Sequence, residues 1–310
     1  MVSTSSTSGD PDPVDFPIHW AWEDGPLTPG LTCVFRVKNE ARNLPWVLPP
    51  MFDAVTHVVL VDNGSDDGTA EVAQQVAEQH GAADRFTLTS YPVRVARAGT
   101  EHLHTPPDSP RSLTYFYNWS FSHVRTGYVL KWDADMVLTE AAEGVLRDLA
   151  WQLEADEVVV KIPRYPLYVV DDRHGFLDLG MSNTEPWAWP NRPGYSFVKA
   201  MEWEQPLWPA TLPTLVLPDF SCLELKRLDA DEFSHWTHTD FGQSRRTRRK
   251  LREWEVFNSL ANGADAPEDV ISIGAPDGVH VIEHVRSTVL PEMAAKRGDF
   301  GARLIRQLTA

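Results

Sequence analysis

Cysteine is scarce in this chain: Cys33 and Cys222 are the only two in 310 residues, and both sit in apolar, strand-like runs. That excludes a disulfide framework and a thiolate zinc site, and it suits a reducing, cytoplasmic setting. Basic residues are outnumbered, 28 Lys and Arg against 44 Asp and Glu, for a net charge of −16. Nucleic acid and anionic membrane are therefore not expected as main partners. No apolar run approaches the roughly 18 residues that span a bilayer, so no transmembrane segment is expected. Met1 to Gly9 is rich in Ser and Thr and lacks both the basic and the apolar parts of a signal peptide. Residues 1–15 read as a disordered tail.

What is present is enough for a sizeable core, with 42% hydrophobic residues and twelve tryptophans. Apolar strands alternate with amphipathic helices through the first half. Leu31 to Val37 is a strand, Leu44 to Met51 a short helix, His57 to Val61 a strand and Ala70 to His80 a helix. Phe86 to Tyr91 is a strand, Ser112 to Val124 a helix and Tyr128 to Trp132 a strand. That alternation predicts an α/β fold with a mainly parallel central sheet flanked by helices. Beyond Thr139 a helix runs to about Glu154 and a strand covers Val158 to Ile162, and Glu232 to Asn262 is helical in part. Between them lies Pro163 to Pro218, rich in Pro, Trp and acids, which reads as a long irregular segment. Trp187, Trp189, Trp203 and Trp208 cluster there; flat rings of this kind pack surfaces or stack on sugars.

Three turns carry the chemistry. Each follows an apolar strand, at the carboxyl edge where an open α/β sheet takes its ligands. The first is Lys38-Asn39-Glu40. The second is Asp62-Asn63-Gly64-Ser65-Asp66-Asp67-Gly68-Thr69, where Gly64 allows close backbone approach and Ser65 and Asp67 can cap a helix. The third is Asp133-Ala134-Asp135. Two carboxylates this close repel unless a cation joins them, which points to a hard divalent metal and a phosphate-rich ligand.

The ordered triple, Val37-Lys38-Asn39-Glu40, then Val61 to Thr69, then the D-x-D, resembles the family 2 glycosyltransferases of the GT-A fold. The resemblance is clear over Leu31 to Leu138 and looser to about Asn262. It implies a Rossmann-like GT-A domain over residues 16–262, with a nucleotide-binding half at 16–140 and an irregular acceptor half at 141–262. Residues 263–310 would be a C-terminal extension. It also implies a nucleotide-sugar donor, UDP- or GDP-linked by preference, and Mn2+ or Mg2+ bridging the diphosphate. Asn39, Glu40 and Asp62 would contact the nucleoside, with Val37, Asn63 and Gly64 lining the same turns. Asp133 would meet the ribose and sugar, and Asp133 and Asp135 the metal. The Arg-Asn pair usual on the helix before the D-x-D is altered here to Tyr117-Asn118; Asn118 matches and the Arg does not.

The transfer implied is an inverting displacement at the anomeric carbon, onto a hydroxyl of a glycan, a lipid-linked or a small-molecule acceptor. Such a reaction needs a carboxylate base. Met201-Glu202-Trp203-Glu204-Gln205 supplies two candidates, Glu204 and Glu202, and Asp219 at a strand end is a third. His235 and His238, three apart, are candidate further metal or pyrophosphate ligands. Arg245 to Arg252 holds six basic residues in eight; it meets either an anionic ligand or neighbouring acids such as Glu253 and Glu255. A sugar-phosphate nucleotidyltransferase would carry a G-x-G-x-R loop after the first strand, where Arg36-Val37-Lys38-Asn39-Glu40 stands instead. A catalytically degenerate carbohydrate- or nucleotide-binding relative is the other alternative, distinguished by turnover.

Overall fold

The computed structural model describes residues 16–152, 157–180, 182–201, 203–209, 212–230, 233 and 245–297. The tail at 1–15, Glu202, His235 and His238 lie outside the described residues. In chain order the first half comprises β1 (Thr28–Val37), α1 (Leu44–Ala54), β2 (His57–Asp62), α2 (Thr69–Gln79), β3 (Phe86–Ser90), α3 (Thr100–His104), α4 (Leu113–Phe121), β4 (Thr126–Trp132), β5 (Met136–Leu138) and α5 (Glu140–Gln152). The second half has β6 (Val159–Val169), β7 (His174–Asp178), β8 (Asn183–Pro190), β9 (Ser196–Ala200), β10 (Trp203–Leu207), β11 (Thr214–Val216) and β12 (Cys222–Arg227). After these come α6 (Arg245–Ala261), β13 (Val270–Gly274), α7 (Val281–His284) and α8 (Leu290–Arg297).

One large sheet runs in the order β13-β7-β6-β8-β4-β1-β2-β3, with β11 and β12 pairing β6, and β5 pairing β12. The quartet β3, β2, β1, β4 is parallel throughout. Antiparallel pairing begins where β8 meets β4. β9 and β10 form a separate hairpin. The α/β architecture expected from the alternation of strands and helices is therefore present, with β1 to β4 parallel and, in the second half, β11 and β12 pairing β6 in parallel as well.

Strand alternation sorts the core onto two faces. Leu31, Cys33, Phe35 and Val37 of β1, with Leu130 and Trp132 of β4, join the cluster that includes α1 and α5 residues. Val34 of β1 and Val129 of β4 face the other way, onto Phe116, Trp119 and Phe121 of α4. Arg36 has the same parity as Val34 and so points toward α4. Both cysteines are buried and unpaired, as small apolar residues.

The Pro-rich segment differs from expectation. Most of Pro163 to Pro218 is strand, and β6 is eleven residues long with Pro163 and Pro166 inside it. Proline lacks the N–H that a ladder needs. On one side of β6 the ladder to β11 ends at Lys161 and that to β12 begins at Arg164, so Pro163 falls in the gap. On the other side the ladder to β8 ends at Arg164 and that to β7 begins at Leu167, so Pro166 falls in that gap. The residues that read as loop punctuation thus occupy breaks in the pairing. Trp187 and Trp189 are buried core residues, leaving Trp203 and Trp208 as the half-buried members of the cluster. The segment after residue 262 adds β13 to the sheet edge, and Val281, Ile282, Val285 and Leu290 join the main core.

Gly30 in β1 takes φ 125°, and a Cβ there would collide with the Thr56 side chain, whose hydroxyl accepts the Leu31 N–H at 3.1 Å. The hydroxyl cannot retreat without losing that bond. Gly30→Ala is expected to lower stability by about 2 kcal/mol or more, read as a shifted midpoint in urea unfolding.

Candidate functional site

The parallel register aligns the three turns. Val37 pairs with Asp62, Asp62 with Ser90, and Phe35 with Trp132, so β1, β2 and β4 end together at one edge. The first two turns are locked to each other. Asn39 adopts a left-handed φ of 59°, which Asn tolerates better than most residues. Its N–H donates to Ser65 Oγ at 2.8 Å, and its Oδ1 accepts the Asp66 N–H at 2.9 Å. The Glu40 N–H donates to Thr69 Oγ1 at 2.8 Å and the Ala41 N–H to Asp67 Oδ2 at 3.1 Å. Asp62 accepts from the Ser65 N–H and hydroxyl. The polar residues of the V-D-x-G-S-x-D-G-T run are thus first of all the clasp that joins β1 to β2.

The expected nucleotide-site residues take distinct positions in this clasp. Val37 is buried, and its carbonyl accepts the Asn63 N–H at 2.8 Å. The Asn63 amide donates to the carbonyls of Tyr91 and Val93, both at 2.7 Å, and so fixes the turn from below. Gly64 has φ 70°, with open space where a Cβ would stand. Glu40 Oε2 accepts from Asn43 Nδ2 at 2.9 Å, and Asn43 Oδ1 accepts from Arg227 Nε at 2.9 Å, which brings the end of β12 to the same edge. Asn118 lies elsewhere: its amide donates to the Phe197 carbonyl at 2.9 Å and accepts the Phe197 N–H at 2.7 Å, clamping β9 to α4.

The D-x-D is set in cations. Asp133, 36% exposed, accepts from Arg36 Nη2 at 3.1 Å, and Lys131 Nζ stands 3.7 Å from its other oxygen. Arg36 is only 4% exposed. Its guanidinium lies 3.9 Å from the centroid of the Tyr117 ring and 5.4 Å from that of Phe121, and Lys131 Nζ lies 4.4 Å from that of Trp187. These are cation–π contacts, strongest where water is excluded. Asp135, 28% exposed, pairs with Lys226 Nζ at 3.0 Å. Burial alone would raise the Asp133 carboxyl, but Lys131, Arg36 and Arg164 outweigh it and hold it below the ordinary range. For Asp135 burial prevails over Lys226, with Glu224 and Asp133 adding to the rise.

Behind the D-x-D runs a ladder of buried charges. Lys226 also pairs with Glu224 at 2.9 Å, and Glu224 with Arg164 at 2.8 Å. Glu185 on β8 stands 3.8 Å from Arg164 and 2.7 Å from Arg249 of α6. Lys250 pairs with Glu253, and Arg252 with Asp178 at 3.0 Å and Asp269 at 2.9 Å. Arg249, Lys250 and Arg252 of the basic run therefore meet protein carboxylates, Glu253 among them. Burial disfavours charge on Glu185 and Glu224, but Arg164 leads the cations that hold both below the ordinary carboxylate range.

Of the base candidates, Glu204 on β10 is half-buried and within hydrogen-bonding reach of the Tyr117 hydroxyl, one ring away from the Arg36–Asp133 pair. Asp219 is exposed and precedes Cys222, which pairs with Leu138. The Asp135 carbonyl accepts from the Leu225 N–H of β12, and Asp219 lies in the turn that precedes that strand. Sequence reasoning passed over Arg36, Lys131, Tyr117, Glu185, Arg164, Glu224 and Lys226. The signal for Arg36 and Lys131 was visible: a lone cation inside an otherwise apolar strand run, just before its turn.

Among the described residues no group of three or more His, Cys, Asp or Glu is placed to hold a metal by itself. Asp133 and Asp135 are two partly exposed carboxylates that could serve as hard-oxygen ligands. That is the donor set of ions such as Mg2+, which take one or two carboxylates and complete their shell with phosphate and water. No helix among the described residues is long and apolar enough to cross a membrane.

No family model matches the chain. Several solved structures share part of the fold. Residues 1–349 of Staphylococcus aureus TarS match at 17% identity over 43% of this chain and 36% of that one, with a TM-score of 0.30. The mannosyltransferase PcManGT from Pyrobaculum calidifontis, in complex with GDP-Man and Mn2+, matches at 21% identity over 49% of this chain and 41% of that one, TM-score 0.32. Glucosyl-3-phosphoglycerate synthase from Mycobacterium tuberculosis, with Mn2+ and UDP, matches at 16% identity over 46% of each chain, TM-score 0.26. The chain spans less than half the length of each of these proteins. Likeness at this level leaves function to be argued from the chain's own residues.

Arg164→Met would leave Glu224 and Glu185 short of their main cation. We expect a loss of about 3–5 kcal/mol at neutral pH in urea unfolding, the usual cost of breaking a buried pair from one side. Both carboxyls are depressed in the folded state. The stability they contribute is therefore complete above the ordinary carboxylate range and fades as pH falls through their folded values. The gap between variant and wild type should narrow on acidification.

Proposed function

We propose that this chain is a GT-A glycosyltransferase that moves a sugar from a nucleotide-sugar donor, UDP- or GDP-linked by preference, to an acceptor hydroxyl. The observation that carries the proposal is the convergence at one sheet edge of the Asn39-Glu40 turn, the Asp62 to Thr69 turn and the D-x-D, with β1, β2 and β4 in register. A nucleotide laid along that edge would meet Glu40 and Asp62 at its nucleoside, with Asn39, Asn63 and Gly64 shaping the turns. Asp62 retains acceptor capacity beyond its bonds to Ser65. Asp133 would take the ribose and sugar side.

Asp133 and Asp135 would hold Mn2+ or Mg2+, and such an ion supplies positive charge against the departing diphosphate. His235 and His238 are kept as candidate further ligands. Glu204 is the base: it accepts the acceptor's hydroxyl proton as that oxygen bonds to the anomeric carbon and the bond to the diphosphate oxygen breaks. Attack from the face opposite the leaving group inverts the anomeric configuration. Trp203 and Trp208, half-buried on the acceptor side, offer ring faces to a glycan, lipid-linked or small-molecule acceptor. The cytoplasm, where nucleotide sugars are made, is the proposed setting.

A second reading is a nucleotide-binding relative without turnover. It is favoured by one observation: both D-x-D carboxylates already have protein cations, Arg36 on Asp133 and Lys226 on Asp135. Turnover separates the two readings. UDP, GDP, dTDP and CDP with Mn2+ should be compared by thermal shift, since a ligand of the native state raises its melting point. We expect UDP or GDP to raise it, and Asp133→Ala and Asp135→Ala each to abolish sugar transfer and to weaken that shift. Full activity of the double variant, or in EDTA, would defeat the metal assignment.

A further inference from the structure

The hairpin β9–β10 is held to the nucleotide half at separate points, and Glu204 stands among them. Asn118 of α4 clamps Phe197 through both of its amide atoms. Lys199 Nζ donates to the carbonyls of Leu103 and Thr105, each at 2.7 Å, tying the hairpin to the end of α3. Lys199 faces Glu204 across the hairpin ladder. The Tyr117 ring packs edge-on against Phe197 at 4.7 Å and carries the Arg36 guanidinium at 3.9 Å on its face. A solvated surface acid would have none of this scaffolding.

His102 of α3 faces the same place. It is 0% exposed, and neither ring nitrogen has a hydrogen-bond partner among the described residues. It lies against the Trp203 main chain without a bond of good geometry, with Glu204 and Lys199 as the nearby charged groups. A buried polar atom left unpaired costs about 1–3 kcal/mol, so a buried imidazole with two of them calls for a reason.

We infer that Tyr117 and His102 are the positioning residues of the Glu204 base. The Tyr117 hydroxyl donates to one side of the carboxylate, and the buried His102 imidazole, whose ring nitrogens have no other hydrogen-bond partner among the described residues, serves it from the α3 side. This inference rests on the proposed transfer reaction and on Glu204 as its base. It adds a specific consequence: the base is tied to the donor carboxylate Asp133 through one aromatic ring and one guanidinium, so the acceptor side registers the donor side mechanically.

The test uses the full chain with Mn2+ and two probes, UDP-glucose and GDP-mannose, following donor hydrolysis as transfer to water. Tyr117→Phe keeps the ring beneath Arg36 and removes only the hydroxyl. We expect kcat to fall on the order of 10- to 100-fold with donor KM unchanged, as for a displaced acid–base group. His102→Phe should behave likewise, and His102→Gln, which keeps a side-chain N–H, should recover part of the loss. Combined with Glu204→Gln, neither change should add to the loss from Glu204→Gln alone, because both act through that carboxylate. Additive losses, or a raised KM at constant kcat, would overturn the inference. A second measurement is independent of turnover: the ring nitrogen signals of His102 should move in Glu204→Gln, and unmoved signals would overturn the contact itself. Nucleotide binding without hydrolysis in the wild type would remove the base and this inference with it. No nucleotide binding would defeat the donor reading instead, and the His102 signals would then decide the contact.

Discussion

The structure around the D-x-D depends on the neutralisation of carboxylates that are wholly or partly withdrawn from water. Asp133, Asp135, Glu185 and Glu224 gather at one end of the sheet, and each would be costly in a medium of low dielectric without a counter-charge. The counter-charges come from strands: Arg36 from β1, Lys131 from β4, Arg164 from β6 and Lys226 from β12. A chain with a net charge of −16 thus holds a locally balanced site. Such a site has a preference among ligands. A lone dianion or a lone dication would upset the balance, whereas a diphosphate arriving with its divalent ion brings charges that largely cancel each other. Under the proposed function the cations on Asp133 and Asp135 would suit a metal–diphosphate pair, and the same cations supply the argument for a binding-only relative.

The cations also join elements distant in sequence. Arg36 and Asp133 belong to neighbouring strands, and the Tyr117 ring beneath Arg36 belongs to α4, so one guanidinium fastens three elements at the site. Arginine suits this position for its shape. Its plane covers an aromatic face while its edge donates to a carboxylate, and a lysine ammonium cannot do both. Arg36 Nη1 is buried without a hydrogen-bond partner among the described residues.

What could be read in advance follows from the range of the physics. The parallel quartet and its three turns were legible because period-2 apolar runs, a glycine turn and helix-capping residues are local signals. The second half was not. Pro163 and Pro166 carry the usual mark of a loop, and only the placement of β7, β8, β11 and β12 on either side of β6 shows that each falls where a ladder is broken. Trp187 and Trp189 resembled a sugar platform by composition but are core, a difference of burial that pairing with β4 and β6 decides. The ion pairs of Arg164, Glu224 and Lys226 join strands whose register no local pattern specifies.

Asn118 shows how a motif position can carry a different task. The resemblance matches it to the asparagine of the family's pair, and here its amide both donates to and accepts from the Phe197 main chain. The residue before it, Tyr117, stands where the resemblance has an arginine. In this chain a guanidinium is still present there, supplied from β1 and laid on the Tyr117 ring. The exchange frees the tyrosine hydroxyl to face the hairpin, while the ring keeps the positive charge against Asp133. One helical turn of α4 thereby holds the β9–β10 hairpin through Asn118, places the Tyr117 hydroxyl beside Glu204 and, through the Tyr117 ring, supports the Arg36 that pairs with Asp133. A substitution on that turn should act on the hairpin and on Asp133 at once, because Asn118 and Tyr117 are adjacent residues of it.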